Sequence, residues 1–66
     1  MQIVVNGAAR TVAAGQTVAE LVTALQLEPR HVAVELNREV LPRSAYADQV
    51  LAEGDAIELV TLVGGG

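Results

Sequence analysis

Three consecutive glycines, Gly64-Gly65-Gly66, close the sequence, immediately after the apolar, strand-like pair Leu62-Val63. Gly66 is expected to carry the free α-carboxylate. Glycine has the least steric restriction of any residue, so this tail is expected to move in solvent rather than pack. It caps no helix and closes no turn. Extended at ~3.3–3.6 Å per residue, three glycines project a carboxyl carbon roughly 10 Å beyond the folded body. Having no Cβ atoms, they are also thin enough to thread a narrow channel. A carboxylate on such an arm suits chemistry performed inside another protein. The competing reading is a frayed end.

The other reactive residue types form no constellation. There is no cysteine, hence neither a disulfide framework nor a thiolate nucleophile. His31 is the only histidine and follows Arg30, which leaves no ligand set for zinc and no evident place in a catalytic triad. Glu20, Glu53, Asp55 and Glu58 read as a helix cap, two turn residues and a solvated strand position, with no pair suggesting a general acid and base. The glycines do not follow a strand into a helix, so they are not a phosphate loop. No metal site and no bound cofactor are expected, and the chain reads as something other than a catalyst.

Eight acidic side chains stand against four arginines, and there is no lysine. A nucleic-acid or anionic-membrane partner needs a basic face, and this balance argues against both. No apolar run approaches the ~20 residues of a membrane helix, and Met1-Gln2-Ile3 opens no signal-peptide pattern. A soluble cytoplasmic protein is expected. The missing lysine has a chance reading in a short chain. It also has a functional one: a chain without lysine or cysteine offers no such side chain for an activated acyl group to modify.

These residues must be positioned by a domain of about residues 1–63, with 64–66 as its tail, near the lower size limit for folding without disulfides or metals. Gln2-Ile3-Val4-Val5 alternates as a strand with Ile3 and Val5 inward, and Asn6-Gly7 signals a type I′ hairpin. The return strand covers about residues 8–13, with Val12 inward. Thr17-Val18-Ala19-Glu20 is a capping box, followed by Val18, Leu21, Val22 and Leu25 on one helical face. Leu27-Glu28-Pro29 is expected to end the helix. Val32-Ala33-Val34-Glu35-Leu36 is a third strand, Asn37-Arg38-Glu39 its turn, and Val40-Leu41-Pro42 a short strand at an edge. Ser44-Ala45-Tyr46-Ala47-Asp48 reads as a capped helical turn, Glu53-Gly54-Asp55 as a tight turn, and residues 56–62 as the last strand.

One helix crossing a mixed, mostly antiparallel sheet of four or five strands is a two-layer α+β solution. A right-handed crossover sets the last strand beside the first, in the sheet centre, which is the β-grasp, ubiquitin-like order. The helix is expected to cover Ile3, Val5, Val12, Val34, Leu36, Ile57 and Leu59. Alternation leaves Val4, Ala33, Val60 and Leu62 on the uncovered face. Ordinary β-propensity is one reading of these four, and a docking surface for the partner that handles the tail is the other.

Small size, this strand order and a terminal Gly-Gly resemble the bacterial sulfur carriers of the ubiquitin-like superfamily. The segments Gly15-Gln16-Thr17-Val18, Val32-Ala33-Val34-Glu35-Leu36-Asn37, Val40-Leu41-Pro42-Arg43-Ser44, Glu53-Gly54-Asp55-Ala56-Ile57-Glu58 and Val63-Gly64-Gly65-Gly66 are similar to those of the ThiS family of thiamine biosynthesis. The resemblance covers essentially the whole chain. Tyr46 stands where many relatives carry tryptophan, an aromatic exchange that bears on packing. The resemblance implies a protein that carries sulfur on Gly66, with Gly64 and Gly65 as the arm and Val4, Val60 and Leu62 at the partner surface. It implies a ThiF-type adenylyltransferase that uses ATP and magnesium, a cysteine desulfurase or rhodanese-type sulfur donor, and the thiazole synthase ThiG. Molybdopterin-synthase small subunits use the same terminal chemistry but are usually longer and richer in phenylalanine, which this chain lacks. A ubiquitin-like protein modifier would end in the same glycines, joined through Gly66 to a lysine of its target. A passive interaction module with a frayed end would leave the glycines without a role.

Overall fold

The computed structural model describes residues 1–62; Val63, Gly64, Gly65 and Gly66, and with them the expected domain end and tail, lie outside the described residues. Strand β1 (Gln2–Val5) returns as β2 (Ala8–Thr11), and the chain then forms helix α1 (Val18–Ala24). Strands β3 (Val32–Leu36), β4 (Glu39–Leu41) and β5 (Ala56–Thr61) follow, with 3₁₀ turns at Pro29–His31 and Arg43–Ala45. The five strands form one sheet in the order β2-β1-β5-β3-β4. β5 is parallel to β1 and antiparallel to β3; the two hairpins are antiparallel. This is the expected β-grasp arrangement, with the last strand in the centre.

Both hairpins close through two-residue loops. Asn6 and Gly7 have φ of 50° and 83°, and Asn37 and Arg38 have φ of 51° and 71°, the paired positive values of a type I′ turn. The second loop is tighter than expected, because Glu39 already pairs with Leu36 inside the strands. Each asparagine has a second task. Asn6 Nδ2 donates to the Leu59 carbonyl (3.3 Å) while Asn6 Oδ1 accepts from the Leu59 N–H (2.8 Å). Asn37 Oδ1 accepts from the Ala56 N–H (2.9 Å), and Asn37 Nδ2 donates to Asp55 Oδ1 (3.0 Å). The central strand is thus held from both sides by the turns of its neighbours.

The capping box at Thr17 is present in both directions: Glu20 N–H donates to Thr17 Oγ1 (3.2 Å), and Thr17 N–H donates to Glu20 Oε1 (2.9 Å). The helix stops before the expected proline boundary. Gln26 takes φ 62°, its N–H donates to the Thr23 carbonyl, and the Leu27 N–H donates back to the Val22 carbonyl. That is a Schellman closure built on glutamine, without the glycine that usually announces one. The expected cap on the second helical turn is also absent. Pro42 is the N-cap of the 3₁₀ turn Arg43–Ala45 and makes no side-chain cap bond, since it has no polar side chain, while Ser44 already lies inside the turn.

Val18, Leu21 and Val22 of α1 are buried against Ile3, Val32, Val34 and Ile57 of the sheet, with Val12, Tyr46 and Leu51 completing the core. Val5, Leu36, Leu59 and Leu25 pack around this centre and are only partly buried. Tyr46 satisfies its buried hydroxyl by donating to the Val32 carbonyl (3.0 Å), just beyond the end of β4. Replacing Thr17 by alanine removes one arm of the capping box and should cost about 1 kcal/mol. In a domain of this size that lowers the melting temperature by about 4–8 °C in a thermal scan, with the folded spectrum unchanged.

Candidate functional site

Alternation along β5 decides which side chains the helix covers. Ile57 is buried beneath α1 and Leu59 is partly buried, while Ala56, Glu58, Val60 and Leu62 occupy the opposite face. Val60 is 59% exposed, Leu62 47% and Val4 38%, so the three residues singled out as partner-facing all lie on the open side. Ala33, also exposed, sits directly opposite Val60. The structure therefore brings Ala33, Val60 and Leu62 together where β5 leaves the sheet.

Val4 is not part of that cluster. It pairs with Ala56, four residues before Val60, which at the usual rise per residue separates the two by about 13 Å along the strand. Two further residues complete the face. Val40, 77% exposed, lies opposite Glu35, and Glu35 lies opposite Glu58. A hydrophobic residue on a short edge strand and a cross-strand pair depend on register, which local sequence does not encode.

The exit of β5 is fixed by the chain before β3. Leu62 donates its N–H to the His31 carbonyl (2.7 Å), and Arg43 donates through Nε and Nη2 to the carbonyls of Pro29 and Arg30 (3.2 and 2.9 Å). Arg43 thus pins the 3₁₀ turn that holds Leu62, the last described residue, just beyond β5. His31 is exposed there. Gly64, Gly65 and Gly66, expected to be the arm and the reactive end, lie outside the described residues.

The carboxylates have the structural partners expected of them. Glu20 caps α1, Glu53 Oε1 accepts from the Gln2 N–H (3.0 Å), and Asp55 Oδ2 accepts from the Ala52 N–H (2.8 Å). Glu58 is exposed on its strand. Among the described residues, no group of histidine, cysteine and carboxylate side chains could hold a metal ion. The surface depressions along Ala19, Glu20, Thr23 and Ala24, and along Ala13, Ala14, Gly15, Gln16 and Glu20, pair no nucleophile with a base. No helix of the described residues is long and apolar enough to cross a membrane. The described residues offer an open, partly apolar sheet face and the point where β5 leaves the sheet.

Comparison with known proteins bears on what such a surface serves. The sequence pattern of the ThiS family matches residues 3–66. The chain is 38% identical over 66 residues to the sulfur carrier protein ThiS of Escherichia coli strain K12, covering 100% of both chains. It is 42% identical over 66 residues to a thiazole synthase of Paramagnetospirillum magneticum. The chain spans only 20% of the length of that enzyme, and the same share of a second thiazole synthase from Magnetococcus marinus. The crystal structure of the thiamine biosynthesis protein ThiS from Geobacter metallireducens superposes with a TM-score of 0.85 at 42% identity, with 100% of each chain covered. Matched along nearly its whole length and superposable on a solved member, the chain belongs to the ThiS family.

Proposed function

We propose that the protein is a sulfur carrier of thiamine biosynthesis, and that the Gly66 carboxylate is the group that carries the sulfur. The observation that carries this reading is the match along 100% of both chains to a relative named as a sulfur carrier. A carboxylate is a poor electrophile. A ThiF-type adenylyltransferase therefore joins a Gly66 oxygen to the α-phosphorus of ATP, releasing pyrophosphate, and magnesium serves that enzyme rather than this chain. A persulfide from a cysteine desulfurase or rhodanese-type donor attacks the acyl carbon, and AMP leaves with the oxygen. That attack forms a carbon–sulfur bond, and a thiol then cleaves the sulfur–sulfur bond inherited from the persulfide, forming a disulfide with the donor sulfur and freeing the Gly66 thiocarboxylate.

The thiocarboxylate donates its sulfur to the thiazole ring made by thiazole synthase ThiG. That two thiazole synthases contain a stretch similar to this entire chain supports direct contact between carrier and synthase. Gly64 and Gly65 form the arm, and an added side chain on either obstructs entry into the partners' channels. Val60 and Leu62, with Ala33, form the docking surface nearest the arm, and Val4 extends it along the sheet. The chain is acted on by enzymes and does not itself catalyse, and the ATP-dependent steps place it in the cytoplasm.

The core of the described residues is built from side chains between Ile3 and Ile57, so deleting Gly66 is expected to leave it intact. The variant should keep its circular dichroism spectrum and melting temperature yet support no thiazole formation in a reconstituted assay; thiazole formation by the folded variant contradicts the proposal. Val60→Asp should cost about 1 kcal/mol, the span of strand propensity at an exposed position, and leave the chain folded. It should weaken binding to the adenylyltransferase about tenfold or more by titration calorimetry, because it places a charge in the apolar part of the interface. Unchanged affinity removes Val60 from the docking surface.

A further inference from the structure

The open sheet face carries an arrangement that folding alone does not favour. Glu35 of β3 and Glu58 of β5 are directly opposed in register, on the same face as the next pair, Ala33 and Val60. Both glutamates are exposed. Side chains so opposed hold their Cβ atoms about 4.5–5.5 Å apart, where like charges repel. The core does not require either carboxylate, since both point away from α1. No arginine occupies a strand position on this face. Arg10, the one arginine within a strand, pairs with the buried Ile3, and the Arg43 guanidinium is engaged by the carbonyls of Pro29 and Arg30.

The surroundings turn the repulsion into a recognition problem. Val40 lies opposite Glu35 on the β4 side, Ala33 and Val60 form the neighbouring pair, and Ala56 precedes Glu58 on the same face. A partner that buries Val40 and Val60 necessarily removes water from both carboxylates. Burying two unpaired charges is prohibitive, so an apolar partner without a cation is rejected. A second copy of this chain, laid face to face, would bring four carboxylates together and is rejected for the same reason.

We infer that the Glu35–Glu58 pair accepts one guanidinium from the adenylating enzyme, presented within an otherwise apolar docking surface, and that this contact selects the partner. A guanidinium is suited to the task because its five donors in a rigid fork can serve two carboxylates at once. The inference rests on the reading that the open face docks the adenylating enzyme, and adds the residues and the partner chemistry that decide the docking.

The test is the affinity of the full chain for the adenylyltransferase, measured by titration calorimetry across a range of salt concentrations, for the wild type, E35Q, E58Q and the double variant. Glutamine keeps the shape and removes the charge. Thermal midpoints should rise by about 1–8 °C as the repulsion is relieved, which also shows that the variants are folded. Affinity of the double variant should fall about tenfold or more, with a flatter dependence on salt than the wild type. Unchanged affinity and an unchanged salt dependence overturn the inference. So does self-association of the double variant with partner affinity intact, which assigns the pair to keeping monomers apart. A wild-type chain that fails to bind, or is not converted to the thiocarboxylate, overturns the carrier reading itself; wild-type binding with indifferent variants overturns only the role of the pair.

Discussion

A five-stranded sheet has two faces, and a helix of seven residues can cover only one of them. Most of the molecule follows from that inequality. α1 contributes three fully buried side chains, Val18, Leu21 and Val22, and they meet the inward residues of β1, β3 and β5. The same alternation that sends Ile57 inward sends Val60 outward, so core and open face are one consequence of the strand period. β5 can bear an unprotected face because its backbone is secured on both edges, by β1 and β3 and by the side chains of Asn6 and Asn37. The strand that leads toward the glycines is paired along both edges, which gives the proposed arm a fixed base.

Features written within a few residues were legible in the sequence. Asn6-Gly7 specified its turn, Thr17 and Glu20 their capping box, and Val32–Leu36 its strand with the observed boundaries. What escaped depended on backbone states or contacts without a local signature. Gln26 and Arg38 hold positive φ without being glycine or asparagine, so neither the Schellman closure nor the second two-residue loop was announced. Leu51 enters the core from an irregular segment, where no periodicity marks it as inward. Register was the other blind spot. Val4, Ala33, Val60 and Leu62 were correctly assigned to the open face, but pairing with Ala56 separates Val4 from the rest, and only pairing reveals Glu35 against Glu58.

The proposed reactive end was read from a different kind of signal. It depends on composition rather than conformation: consecutive glycines, no lysine, no cysteine. The fold contributes nothing to the electrophilicity of a carboxylate. In the proposed chemistry its contribution is to be recognised, to present the arm at a defined point, and to keep its own side chains out of the reaction. On that proposal a small domain suffices, since the enzymes that act on it would supply activation and sulfur transfer.

The central claim concerns Gly66, and intact-protein mass spectrometry tests it most directly. The chain is incubated with the adenylating enzyme, ATP, magnesium and a persulfide donor, then weighed whole and as its C-terminal peptide. The account predicts replacement of one oxygen by sulfur, localised to Gly66. An unchanged mass, with the same enzyme demonstrably active on another carrier, contradicts it.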